Sequence, residues 1–179
     1  RVTRFNINWN IIAWPGAAWA KRMFPELSGT EAQSKLADAI FDASRVNTTD
    51  PVEEWKKHNE VLRKKCKWLN ELDFASLHFN GPGTDLVVGL ADGHEWMGGA
   101  SIAQNGITCN PNIPSEEVFT TPHALNVNGS VCSTKPLSHQ GALIDEIQVR
   151  FENGKITNAK ASKGEEVLLK ILDSDEGAR

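Results

Sequence analysis

The spacing of the apolar residues changes near Asp73, and this change limits the possible folds more than any other feature of the sequence. Before that point apolar side chains recur at helical spacing, as at Ala32, Leu36 and Ile40. After it they alternate with polar ones, as in segment 143–151, which is typical of strands. We therefore expect a mixed α/β fold in which a helix-rich part is followed by a mainly antiparallel sheet.

Two long helices are predicted in the first part from signals at their N-termini. Ser28 and Glu31 have the spacing of a capping box, so a helix is expected from there to about Ala43. Asp50 fits a cap, and the proline after it fits the first helical position. The apolar face of that second helix continues to about Leu72.

Strand signals lie at the start of the chain and after the long helices. Segment 2–13 contains a short β-type run, and strands are expected over 74–79 and 84–90, joined by a Gly-Pro-Gly turn. The dipeptide Asn153-Gly154 is the strongest short hairpin signal. It predicts that 143–151 pairs with a return strand over 155–161.

A last helix is predicted near the end of the chain, where Ser162 and Glu165 again have capping-box spacing. We place one domain boundary near residue 72, which gives regions 1–72 and 73–179. The start at Arg1 and the end soon after this helix do not resemble ordinary domain ends. The chain is therefore expected to be an inner piece of a larger protein.

Composition narrows the classes of function. Apolar residues make up 40% and charged residues 23%, close to the values of soluble globular proteins. The net charge is −4 with no dense basic face, so no nucleic-acid partner is expected. No run of about 18 apolar residues is present, so no membrane helix is expected. The thiols of Cys66, Cys109 and Cys132 are odd in number and widely spaced, which favours a reducing cytoplasm.

Three segments resemble known sites but lack a necessary part. His94-Glu95 begins like a zinc-protease helix, yet the second histidine is missing and two glycines follow. Segment 80–84 lacks the lysine of a phosphate loop and leads into a strand, so a hairpin turn is favoured. Cys132 and Ser133 lack the setting of a catalytic nucleophile, and strand packing explains Cys132.

The remaining candidate is the carboxylate pair Glu116 and Glu117 within segment 110–122. Prolines hold the approach extended, and neighbouring side chains of an extended segment point to opposite faces. Only one of the two can therefore face a given site, where a carboxylate suits Zn²⁺, Co²⁺ or Mn²⁺. Surface glutamates are usually only solvated, and from the residues alone that interpretation stays open.

At this point the sequence resembles a known family. NIPSEEVFTTP, residues 112–122, is similar to the signature segment of the M29 metallo-aminopeptidases, the family of the aminopeptidase T, aminopeptidase S and aminopeptidase II type. The resemblance covers essentially the whole chain. It includes AWPGAAWAKRMFP (13–25), DPVEEWKKHNEVLRKK (50–65), LHFNGPGTDLVVGL (77–90) and STKPL (133–137).

The resemblance implies a cytoplasmic homodimeric enzyme that removes N-terminal residues from peptides with a free N-terminus. It implies two divalent metal ions (Zn, Co, Mn or Mg) in one site, with Glu117 as the first metal ligand in chain order. The other ligands are expected beyond Arg179, so no catalytic residue is identified within the chain. It gives no ligand role to the histidines, His58, His78, His94, His123 and His139.

The resemblance also assigns the two regions. Region 1–72 becomes the C-terminal part of an N-terminal α/β domain, and region 73–179 becomes the first part of the catalytic domain. Glu117 is then expected to point into the deepest polar concavity of the second region. The alternative is a non-catalytic, β-rich binding or dimerisation module in which Glu116 and Glu117 are only surface charge. A glycosidase is disfavoured because adjacent strand residues diverge and cannot flank one bond.

Overall fold

A computed structural model describes residues 4–179 and contains helices together with mainly antiparallel strands, which confirms the predicted mixed α/β class. The helices are α1 (Ala17–Met23), α2 (Gly29–Ala43), α3 (Pro51–Leu72) and α4 (Glu165–Leu172). The strands are β1 (Ile11–Ile12), β2 (Ser76–Gly81), β3 (Thr84–Leu90), β4 (Met97–Gly98), β5 (Ser101–Ile102), β6 (Thr108–Cys109), β7 (Asn112–Ile113), β8 (Val118–Phe119), β9 (Pro122–Cys132), β10 (Leu137–His139), β11 (Ala142–Ile144), β12 (Gln148–Glu152) and β13 (Lys155–Lys160).

The chain forms two compact units. The first contains the residues up to Glu71 together with Trp96–Phe119, and the second contains Leu72–Glu95 and Thr120–Arg179. The chain first passes from one unit to the other at the predicted boundary near residue 72. Segment 96–119 returns to the first unit, however, and a single boundary does not describe this return. The assignment of 1–72 and 73–179 to two domains of a larger protein stays a prediction.

The helices of the first unit begin where their capping residues predict. At the start of α2 the Ser28 and Glu31 side chains form the reciprocal capping box, and the hydrogen bonds from Ser28 lower the pKa of Glu31. At the start of α3 the Asp50 Oδ1 atom accepts a hydrogen bond of 3.0 Å from the Glu53 N–H. Both helices therefore begin at the positions that the sequence indicates.

The core of the first unit lies between α1 and α2. Ala20 and Ala32 are fully buried there, and Leu36 and Ile40 continue the same face of α2. On α3 the buried side chains are Leu62 and Cys66, and burial raises the pKa of the Cys66 thiol. Among residues 4–179 no helix has both the length and the apolar character needed to cross a bilayer.

The strands of the first unit are short pairs. β1 and β7 are parallel, whereas β4–β8 and β5–β6 are antiparallel. The β-type run predicted over 2–13 is a strand only at Ile11–Ile12, because it pairs only with the two residues of β7. Residues 1–3 of that prediction lie outside the described residues.

The second unit is organised by an antiparallel sheet with strand order β13-β12-β9-β3-β2. The hairpin predicted at Asn153-Gly154 is confirmed, with Glu152 paired to Lys155 and both turn residues at positive φ. The single strand predicted over 143–151 is instead divided into β11 and β12. Glu146 has a φ of 50°, which interrupts the extended backbone between them.

Helix α4 packs against the second unit through one buried cluster. Its Leu168 and Leu172 side chains contact Ile144, which is fully buried. The helix was predicted correctly, but the capping box at Ser162 and Glu165 is wrong. The Ser162 hydroxyl donates to the Asp145 carbonyl, and Gly164 with a φ of 71° is the residue before the helix. Glu165 instead accepts a 2.9 Å hydrogen bond from the Ala161 N–H.

Candidate functional site

The segment that carries the carboxylate pair is fixed at both of its ends by short strand pairs of the first unit. The Ile11 N–H donates to the Pro111 carbonyl at 2.8 Å where β7 lies beside β1. At the other end β8 pairs with β4, and a Cβ on Gly98 would lie 2.5 Å from the Glu117 carbonyl oxygen. Glycine is therefore needed for this close approach of the two backbones. The pair Glu116 and Glu117 lies between these anchors.

Glu116 is held by Arg45, the second residue after α2. The guanidinium donates from Nη1 to Glu116 Oε1 at 2.6 Å and from Nη2 to Oε2 at 3.1 Å. This two-point contact lowers the pKa of Glu116 and raises that of Arg45. The Arg45 side chain is only 25% exposed, and its guanidinium lies 5.2 Å from the centre of the Trp55 ring. Glu116 is therefore a paired carboxylate.

His58 of α3 connects this ion pair to the backbone beside it. Arg45 donates from Nη2 to His58 Nδ1 at 3.2 Å, and His58 Nε2 lies 2.6 Å from the Ser115 carbonyl oxygen. Because arginine only donates and a carbonyl only accepts, these contacts place the imidazole proton on Nε2. The His58 side chain is 14% exposed and meets the Trp55 ring edge to face at 5.5 Å.

The next residue of α3 holds the start of the same segment. The side-chain amides of Asn59 and Asn110 exchange two hydrogen bonds, of 2.9 and 2.8 Å. Trp55 is fixed in turn because its Nε1–H donates to the Ser44 carbonyl at 2.9 Å. One face of α3 therefore fixes both Asn110 and Ser115, and with them the backbone that leads to the glutamates.

Glu117 differs from its neighbour. Its side chain is exposed, and it makes no hydrogen bond or ion pair with any of residues 4–179. It borders a concavity of about 650 Å³, whose other lining residues are Ile11, Ile12, Ala13, Asn112, Ile113, Pro114, Ser115 and Glu116. Both carboxylate oxygens of Glu117 are thus available to a cation, whereas Arg45 holds both oxygens of Glu116.

The two glutamates lie in the part of the chain that returns to the first compact unit, and the concavity that Glu117 borders is lined by residues of that unit. Its position in a catalytic domain of the complete protein stays a prediction. Segment 96–119 is joined to the rest of the first unit by the β1–β7 pair and by hydrogen bonds from His58 and Asn59 of α3. Both glutamates also border one concavity, and their partners rather than opposite faces distinguish them.

The residues present do not by themselves fit a centre of two metal ions. Within residues 4–179 no three His, Cys, Asp or Glu side chains lie close enough together to bind a metal ion. A structural zinc site usually takes four protein ligands and a catalytic site three. Glu117 can therefore act only as one ligand of a larger set.

The segments that resemble other sites have ordinary structural partners. His94 donates from Nε2 to the Phe74 carbonyl, its Nδ1 atom lies 3.1 Å from Thr120 Oγ1, and its segment is not a helix. The hairpin predicted at 80–84 is confirmed, with Gly81 paired to Thr84. His78 contacts Asp85 at 2.7 Å, and His123 Nδ1 accepts from the Leu125 N–H.

Sequence reasoning missed Arg45, His58 and Asn59. Trp55 and His58 are three residues apart on α3 and so share a face. Two ring side chains on one face indicated that this face contacts other residues and is not only solvated. The sequence contained no sign that this face meets Ser115, because the two residues are 57 positions apart. The sequence contained no sign of Arg45 either. It lies beyond the end of α2, outside the helical pattern, and has a φ of 60°.

Comparison with known proteins matches the whole chain to one family. The family model described as "Thermophilic metalloprotease (M29)" matches residues 1–179. The chain is 51% identical over 178 residues to aminopeptidase T of Thermus aquaticus, and 43% identical over 171 residues to aminopeptidase 2 of Geobacillus stearothermophilus. These matches cover 99% and 96% of this chain, but only 44% and 41% of those proteins.

A solved structure shows the same likeness. The chain superimposes on wild-type AmpT from Thermus thermophilus with a TM-score of 0.92 and 48% sequence identity. The match covers 99% of this chain and 43% of that one. The chain therefore spans less than half the length of the relatives that it matches.

Proposed function

Because this chain belongs to the M29 family of thermophilic metalloproteases, we propose that the complete protein is a metal-dependent aminopeptidase in which Glu117 is a metal ligand. Its substrates are peptides with a free N-terminus, and its site holds two divalent ions, Zn²⁺, Co²⁺, Mn²⁺ or Mg²⁺. We further propose that it works in the cytoplasm as a homodimer. The names of the relatives support the reaction, and the family name supports the need for metal.

The observation that carries the assignment of Glu117 is the different pairing of two adjacent carboxylates. A carboxylate whose two oxygens accept from an arginine must lose that contact before it binds a cation. Glu116 is in that situation, with Arg45 at 2.6 Å. Glu117 is not, and it stands at the edge of a concavity that a substrate can enter from solvent. Glu117 is therefore the ligand that this chain contributes.

On the family resemblance, the remaining ligands of the proposed site come from residues outside this chain. The lack of a group of three potential ligands among residues 4–179 supports this part of the proposal. In the complete protein, region 1–72 then belongs to an N-terminal α/β domain and region 73–179 to the first part of the catalytic domain. That assignment, like the metal count, follows from the family resemblance.

The test is an assay of the complete protein with a leucine anilide. Activity should disappear after removal of metal by a chelator and return when Co²⁺ or Zn²⁺ is added. A protein that folds, binds no divalent metal and cleaves no anilide or dipeptide would contradict the proposal. That result would favour the alternative of a non-catalytic binding or dimerisation module.

A further inference from the structure

Arg45 and His58 enclose the backbone at Ser115 and the carboxylate of Glu116 from the side of the helices. Arg45 reaches both oxygens of Glu116 and His58 Nδ1, and His58 Nε2 reaches the Ser115 carbonyl. The three residues Arg45, His58 and Glu116 thus form one connected hydrogen-bond network. That network ends one residue before Glu117.

This network is built into the fold. Trp55 lies beside both of its basic side chains, under Arg45 at 5.2 Å and against His58 at 5.5 Å, and its own N–H is fixed by the Ser44 carbonyl. Ser44 is 5% exposed. A surface ion pair between mobile side chains usually contributes little. A two-point arginine contact over an indole ring, tied to a second side chain, holds its geometry much better.

We propose that Arg45 and His58 are positioning residues for the metal ligand Glu117, an inference that rests on the proposed function. They act in two ways. They fix the backbone at residues 115–116, so that the next carboxylate is presented in one direction. They also occupy Glu116, so that this second carboxylate does not compete with Glu117 for the same cation. Neither residue touches the metal or the substrate.

The network must both fix the backbone and occupy Glu116 because the two glutamates are adjacent. Two free carboxylates in consecutive positions offer a cation several arrangements, and each arrangement places the ion differently against the remaining ligands. A catalytic ion needs one geometry. The arginine prevents the arrangements that involve Glu116 by pairing with it. Glu117 still remains available to bind the cation.

The test uses four forms of the complete protein: wild type, Arg45→Met, Glu116→Gln, and the double variant. For each form the affinity for Co²⁺ and the value of kcat are measured, together with thermal unfolding of the metal-free protein. Loss of a residue that supports a metal ligand typically lowers metal affinity or activity about 10- to 100-fold. We expect Arg45→Met to fall in that range with respect to wild type.

The same substitution made in the Glu116→Gln background should change both quantities less than about threefold, because a neutral side chain at position 116 no longer competes with Glu117 for the cation and keeps at most one hydrogen bond to Arg45. Arg45→Lys should recover part of the loss, since lysine keeps the charge but not the two-point contact. A purely structural role would lower the unfolding temperature of the metal-free protein, most strongly where Glu116 is still present to pair with Arg45. It would leave metal affinity unchanged.

Two results would overturn the inference. One is an Arg45→Met protein that matches wild type in Co²⁺ affinity and kcat. The other is an equal loss with and without Glu116→Gln. Failure of the proposed function is recognised separately, because then wild type itself binds no metal and has no chelator-sensitive activity.

Discussion

The Arg45 guanidinium holds both carboxylate oxygens of Glu116, at 2.6 and 3.1 Å, and leaves the adjacent Glu117 without a partner among residues 4–179. This difference distinguishes two carboxylates that the sequence alone could not tell apart. Glu116 is paired with an arginine, and Glu117 has both oxygens unpaired among residues 4–179.

The first prediction concerns the two glutamates in the complete protein. Glu117→Gln should lower kcat by at least roughly 100-fold and weaken metal binding, because a neutral amide is a poorer ligand. Glu116→Gln should cost less than about tenfold, since the amide oxygen still accepts one hydrogen bond from Arg45. Kinetics of both variants beside circular dichroism check this. The reverse order of damage would mean that Glu116 is the ligand.

A second prediction separates shape from hydrogen bonding at His58. His58→Phe keeps a ring against Trp55 but loses the contacts to Arg45 and the Ser115 carbonyl, so kcat should fall about tenfold. His58→Gln should stay within about threefold, because its amide can accept from Arg45 and donate to Ser115. Both values come from initial rates at saturating metal. Equal effects of Phe and Gln would exclude a role for these hydrogen bonds.

A third prediction compares two glycines of the second unit that share a positive φ. Gly154 has a φ of 81°, and a Cβ there would lie 1.8 Å from the Ala124 carbonyl oxygen. Gly141 has a φ of 85°, but a Cβ at that position would meet no other atom within 4 Å. Gly141→Ala should cost about 1–2 kcal/mol from backbone conformation alone. Gly154→Ala should cost roughly 3 kcal/mol or more, measured by urea unfolding. Equal losses would show that the backbone near Ala124 shifts without cost.

The local rules that succeeded here depend on residues close in sequence. The capping box at Ser28, the cap at Asp50 and the hairpin at Asn153-Gly154 each involve at most a few neighbouring residues, and each is found where it was predicted. The capping-box rule failed at Ser162, because its hydroxyl donates instead to the carbonyl of Asp145, which is distant in sequence. Tertiary contacts decided between two equally good local patterns.

The candidate site shows the same limit more sharply. The sequence identified Glu116 and Glu117 through a motif, but strand alternation alone could not distinguish their environments. The residues that distinguish them lie 71 and 58 positions away from Glu116, at Arg45 and His58. A single boundary near residue 72 does not describe the return of segment 96–119 to the first unit, for the same reason. Pairing of β1 with β7 has no signature in either strand.

A fourth prediction concerns the core of the second unit. Ile144 is fully buried against Leu168 and Leu172, so Ile144→Ala should cost about 2–5 kcal/mol through lost burial and a cavity. Leu125 is 65% exposed, and Leu125→Ala should stay within about 0.5 kcal/mol. Urea unfolding of both variants gives the comparison. A small loss for Ile144→Ala would mean that α4 moves in to fill the space.

The last prediction concerns the 179-residue chain by itself, which should bind no divalent metal tightly and should have no aminopeptidase activity. Glu117 is the one carboxylate assigned to the proposed centre, and within residues 4–179 no three potential ligands lie together. A single carboxylate does not hold Zn²⁺ or Co²⁺ at the geometry that catalysis needs. The Glu117→Gln form of the chain is the matched control, since its metal affinity should equal that of the unchanged chain within error.

The measurement is a leucine-anilide assay with added Co²⁺ or Zn²⁺, run beside the complete protein and beside a chelator blank. The complete protein should show chelator-sensitive turnover, and the chain should stay at the rate without enzyme. Turnover by the purified chain that a chelator abolishes would show that its own residues complete a metal site. In that case the ligands would have to be sought among the side chains around the concavity at Glu117, because that carboxylate borders a space large enough for a substrate end. No turnover by either form would favour the binding module instead, and the pairing of Arg45 with Glu116 would then serve only to stabilise the first unit.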